Sequence, residues 1–132
     1  MTQLGFTCLG GLLGWFLGGT DGFLFALIVF VVADYLSGIM CAVINRRLSS
    51  AVVAKGIFKK VLIFVLVGIG HIIDSQIIGD GSARALRTAV IFFYLSNEGI
   101  SLLENATVIG LPVPQKLKDM LAQLRGKGDG DQ

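Results

Sequence analysis

The stretch Phe23–Ile44 is apolar from end to end apart from one charge, Asp34. At about 1.5 Å of rise per residue, a helix of that length reaches across a bilayer core of ~30 Å. The rest of the chain follows the same pattern. Of its 132 residues, 54% are hydrophobic and 15% are charged, and the mean hydropathy is +0.78. A soluble domain carries about a quarter charged residues, so the sequence describes one small integral membrane unit.

Three further apolar runs flank the first. Leu4–Gly19 is short and rich in glycine, Ile57–Ile78 opens on Lys59 and Lys60, and Leu86–Ile109 carries several polar side chains. Short connections at Thr20–Gly22, Asn45–Gly56 and Gly79–Ala85 make neighbouring spans antiparallel. The expected fold is all-α, with three to four antiparallel transmembrane helices at approximately 4–19, 23–44, 57–78 and 86–109. The count is four if the first run crosses and three if it only dips into the interface. Gly110, Pro112 and Pro114 form a helix stop. They divide a membrane domain, 1–114, from a basic, flexible, cytoplasmic tail, 115–132, which opens on a short amphipathic run of Leu117, Met120, Leu121 and Leu124. Nothing near Met1 has the basic region and cleavage site of a removable leader, so the first run is expected to stay on the protein.

The placement of basic residues predicts orientation. Arg46, Arg47, Lys55, Lys59 and Lys60 lie between the second and third spans, and Lys116, Lys118, Arg125 and Lys127 follow the last. Both groups belong on the cytoplasmic side, where they meet anionic lipid, and Lys59 and Lys60 are expected to snorkel to the surface. Arg84 and Arg87, on the outer side, run against the rule and are partly offset by Asp80. No nucleic-acid partner is expected.

Polar groups inside such spans mark candidate functional sites, because hydrocarbon tolerates them only where they face protein or water. Asn97, Glu98, Ser101, Glu104 and Asn105 recur at helical spacing and gather on one face of the last span. Asp34 is either a structural group, as a protonated acid or a hydrogen-bonded helix contact, or a functional one that lines a lumen or pairs with a cation. His71 and Asp74, three residues apart, form either a structural contact or a proton-relay pair. Gly10, Gly14 and Gly18 repeat at the spacing that lets helix backbones approach closely, as do Ala33, Ser37 and Cys41 with Gly38 beside them. Such faces serve either self-association or packing within one chain. Cys8 and Cys41 sit in apolar surroundings and read as small packing residues. Glu98 and Glu104 are accompanied by no nucleophile, phosphate-cradling loop or metal-ligand set. The residue pattern therefore predicts no enzyme, no cofactor and no metal.

Several of these pieces match a known pattern: Asp34-Tyr-Leu-Ser-Gly38 with Ala42, Leu48-Ser-Ser50, Lys55-Gly56, Lys59-Lys60, then Asn97-Glu98, Ser101, Glu104-Asn105 and Gly110-Leu-Pro112-Val-Pro114. In these the chain resembles the phage-lysis and toxin-secretion holin family over most of residues 34–118. The resemblance implies a phage- or prophage-encoded homo-oligomer of the host cytoplasmic membrane. It implies lesions that let a muralytic endolysin reach the cell wall, or that release a toxin in some relatives. Two other classes stay open on the residues alone: an ion or proton channel or small transporter built on His71, Asp74 and the carboxylates, and a small membrane enzyme of the diacylglycerol kinase type.

Overall fold

The computed structural model describes residues 2–19, 21–78 and 85–129. It is all-helical, with no strand among the described residues: α1 Thr2–Leu17, α2 Gly22–Ile44, α3 Ser50–Ile72, α4 Ala85–Ile109 and α5 Gln115–Asp129. α3 runs directly into a π-helical end, Ile73–Ile78.

Local chemistry sets the helix ends. The Asp21 carboxylate accepts from the Leu24 backbone N–H at 2.9 Å and caps α2. Ser49 Oγ accepts from the Val52 N–H at 3.2 Å and caps α3 in the same way. That serine starts α3 well before Ile57, so the connection expected over 45–56 shrinks to the few residues between Ile44 and Ser50. α4 ends at Gly110, whose φ of +106° suits glycine and lets the Leu111 N–H reach back to the Ala106 carbonyl at 2.9 Å. After the two prolines the chain turns back, and α5 packs along the outer face of α4. Helical order in the tail extends to Asp129, beyond the short amphipathic run expected there. The expected turn over 79–84 lies outside the described residues.

α4 is the hub of the bundle. It packs along α2 most extensively and also against α3 and α5, while α1 leans on α3. The apolar core is small: Leu24, Leu27, Val31, Ile63, Val67 and Ile91, ringed by Leu17, Phe64, Val90, Tyr94 and Leu95. Against this, Asp34, Asp74, Arg87 and Glu98 are buried while Phe6, Trp15, Phe25 and Phe58 are at least two-thirds exposed. Charges point inward and large apolar groups outward, the distribution that a hydrocarbon surrounding selects.

Among the described residues, α2 alone is long and apolar enough to cross a membrane on its own composition. α1 is too short. α3 carries Lys55, Lys59 and Lys60, and α4 carries Arg87, Glu98 and Glu104, which lower their hydropathy.

Candidate functional site

The inward charges meet at mid-height. Asp34 lies near the centre of α2, Lys60 is on α3 and Glu98 is on α4. The Lys60 ammonium donates to Asp34 Oδ2 at 2.6 Å and to Glu98 Oε1 at 2.5 Å. Asp34 is 4% exposed and Glu98 6%, so neither carboxylate has bulk water to fall back on. Below this triad, Asn105 Nδ2 donates to Ser37 Oγ at 2.9 Å and to Asp34 Oδ1 at 3.0 Å. The Ser37 hydroxyl in turn donates to the Asp34 carbonyl at 3.0 Å. Gly38 faces the Asn105 amide, with room for a Cβ only at van der Waals distance.

An open cavity of about 240 Å³ adjoins the cluster, lined by Asp34, Tyr35, Gly56, Lys60, Ser101 and Asn105 among others. Tyr35 walls it: its ring lies over Gly56, where a Cβ would come within 2.8 Å, and its hydroxyl donates to the Val53 carbonyl at 3.1 Å. With all three ionised, the triad holds two negative charges against one positive. Pairing offsets the cost of taking these groups out of water: removing Lys60 leaves two uncompensated buried carboxylates, whereas removing either acid leaves a one-to-one pair.

The structure thus brings together Asp34, Glu98, Ser101, Asn105, Ser37 and Gly38 from the sequence candidates. Others fall elsewhere. Lys60, expected to snorkel as a surface base, points inward, because two buried carboxylates offer it stronger partners than headgroups would. Arg46, Arg47, Lys55 and Lys59 are exposed, as surface bases are. Asn97, half-buried, and Glu104, exposed, make no side-chain hydrogen bond or ion pair to another described residue. Glu104 is exposed in the groove between α4 and α5. Gly10 and Gly14 meet nothing within 4 Å, so packing within the chain does not explain them. Gly18 does pack, but through backbone conformation: its φ is +87°, and a Cβ there would sit 2.7 Å from His71 Nδ1 and 2.8 Å from Arg87 Nε.

A second polar node joins α1 to the N-terminus of α4. Arg87, 1% exposed, donates from Nε to the Leu17 carbonyl at 2.6 Å and from Nη2 to the Gly19 carbonyl at 2.9 Å. Nη1 reaches Asp21 Oδ2 at 2.9 Å. Asp74 accepts from the backbone N–H groups of Leu86 at 3.1 Å and Arg87 at 2.8 Å, so it caps α4. His71 and Asp74 are therefore not the relay pair considered above. The aspartate is engaged by backbone, and His71 Nδ1 is buried with no hydrogen-bond partner. Arg87 was missed as a site residue because it reads as a stray outer positive charge. The available signal was an arginine at the same end of the spans as Asp21 and Asp74.

A bundle with charges paired inside and apolar side chains outside defines a small helical membrane protein. The chain belongs to the bacteriophage holin family, which matches residues 11–126. It is 39% identical over 123 residues to a 14.9 kDa protein from the nagH 3′ region of Clostridium perfringens, covering 93% of this chain and 92% of that one. It is 39% identical over 130 residues to the Listeria monocytogenes protein Lmo0128, covering 98% and 91%. The Bacillus subtilis protein YqxH is 30% identical over 112 residues, covering 85% and 78%. No solved structure matches.

Proposed function

We propose that the chain is a holin that oligomerises in the bacterial cytoplasmic membrane and opens non-selective lesions through which an endolysin reaches the cell wall. The observation that carries this reading is the Asp34–Lys60–Glu98 triad, buried among three helices whose outer surfaces are apolar. Such a cluster has two acceptable surroundings: its own partners, or water. Lipid is excluded. Within one chain the three charges satisfy each other. When copies crowd together, neighbours replace the lipid around each bundle, and the same groups can turn from one another to a shared lumen.

In this reading α2, α3 and α4 all cross the bilayer; of the charges that lower the hydropathy of α3 and α4, Lys60, Glu98 and Arg87 are paired inside the bundle, while Lys55 and Lys59 stand exposed toward the start of α3. α1 crosses beside α3. Its 16 residues reach about 24 Å, a shortfall the bilayer accommodates by local thinning at modest cost. Arg46, Arg47, Lys55 and Lys59 hold one end on the cytoplasmic side, and the C-terminus lies there too. No catalytic chemistry is involved.

The test is induced expression in bacteria with and without a cytoplasmic endolysin. Abrupt loss of membrane potential and endolysin-dependent fall in turbidity are expected. Unperturbed growth despite confirmed membrane insertion overturns the proposal, and a stable ion-selective current without endolysin release assigns the chain to the channels instead.

A further inference from the structure

α5 is the most amphipathic of the five helices and the least hydrophobic. At about 100° per residue, Leu117, Met120, Leu121 and Leu124 fall within about 60° of one line along it. By the same spacing, Lys116 and Lys127 flank that stripe on one side, and Lys118 and Arg125 on the other. Asp119 lies nearly opposite, where it accepts from the Gln115 amide at 3.0 Å. The fold leaves the stripe unused. Lys118 and Ala122 line the side of α5 turned to α4, while Leu117 and Met120 are exposed. An open groove of about 470 Å³ remains between the two helices, a loose joint beside a packed interior.

We propose that on a bilayer α5 turns away from α4 at the Gly110–Pro114 elbow and lies flat on the membrane surface, bound to anionic phospholipid. The apolar stripe enters the acyl boundary, the four bases on its two edges reach lipid phosphates, and Asp119 faces water. Charge complementarity selects this occupant. A second copy of α5 on the same stripe would set the flanking bases of one helix against those of the other. Left along α4, the same bases would stand beside a membrane span, where hydrocarbon rejects them. The elbow is five residues long and extends to at most about 17 Å, so α5 begins within reach of the surface at which α4 ends. The inference rests on the membrane reading above but not on lesion formation.

The test is nitroxide labelling of the full chain, carrying Cys8→Ser and Cys41→Ala, in vesicles of mixed phosphatidylglycerol and phosphatidylcholine or of phosphatidylcholine alone. Oxygen concentrates in lipid and a nickel chelate stays in water, so power saturation by each reads the depth of a label. In the anionic vesicles a label on Met120→Cys should be reached by oxygen and shielded from nickel, and one on Asp119→Cys should show the reverse. Phosphatidylcholine alone should remove most of that contrast. Lys116→Gln and Arg125→Gln should each lower the ratio of bound to released α5 about fivefold. Met120 and Asp119 are exposed, and circular dichroism of each variant confirms that the helices persist. Nickel access at both positions, oxygen access at both, shielding of Met120 from both reagents by a protein partner, or equal contrast in the two kinds of vesicle would each overturn the proposal. A label on Leu36→Cys, exposed at the middle of α2, checks the membrane reading itself. Nickel access there overturns both readings, whereas oxygen access there with nickel access at Met120 overturns this inference alone. The expected contrast without lysis overturns only the function proposed above.

Discussion

At the centre of α2, Asp34 meets Lys60 and Glu98 side chain to side chain; at the start of α2, Arg87 is met mainly by backbone. Both clusters bury charge between helices, yet they are built on opposite plans. The Arg87 node spends its donors on the Leu17 and Gly19 carbonyls and on Asp21, while Asp74 receives two backbone N–H groups. Carbonyls and helix N-termini are fixed in place, so this node has one arrangement and acts as a fastening. The central triad joins three flexible side chains beside an open cavity. Those side chains can find other partners, including water, without unwinding a helix. The comparison separates two kinds of buried charge in this bundle: one that holds α1 in place through backbone groups, and one that, in the function proposed above, supplies the polar surface of a lumen.

Four substitutions test that division. The largest effect is expected from Lys60→Met, which leaves two buried carboxylates facing each other and should lower stability in detergent by about 3–5 kcal/mol. Adding Asp34→Asn and Glu98→Gln to it should restore most of the loss in a thermal melt. Next comes Arg87→Met, at about 2–3 kcal/mol for two carbonyls and a carboxylate left without their donor. Asp21, with a side chain one-third exposed, can still find water, and this moderates the cost. Hydrogen exchange should rise across α1 and stay low at Asp34. If exchange rises equally in both places, the clusters are one unit and the contrast fails. Gly18→Ala should cost about 2 kcal/mol, because a positive φ and a crowded Cβ act together. The smallest change in stability, within about 1 kcal/mol, is expected for Glu98→Gln, which keeps an acceptor for Lys60 and removes one charge. Its lysis onset in the induction assay should shift while the Arg87 node stays intact. An unchanged onset would separate the triad from opening.

The legible parts of the molecule were those governed by local signals. α2 and α4 follow from apolar runs bounded by Asp21 and by Gly110 with its prolines. Asp34, Glu98, Ser101 and Asn105 stood out as polar groups at helical spacing in apolar surroundings. The start of α3 was obscured because Ser49 caps a stretch whose lysines resemble a loop. Lys60 was misplaced for a related reason: a lysine near the opening of a span has two outlets, and only the positions of α2 and α4 show that carboxylates stand closer than headgroups. Gly10 and Gly14 show the reverse. Their spacing is plain in the sequence, but a Cβ at either position would meet nothing within 4 Å among the described residues.

The order of the triad along the chain bears on how the bundle is made. Synthesis delivers an acid on α2, then a base on α3, then an acid on α4. Asp34 waits for a partner only until the next hairpin enters, and Glu98 arrives last, at a site where the ammonium already stands. On the proposed membrane reading, the growing protein never has to bring its two acids together before the base stands between them, so insertion can proceed helix by helix in the sequence that the ribosome dictates.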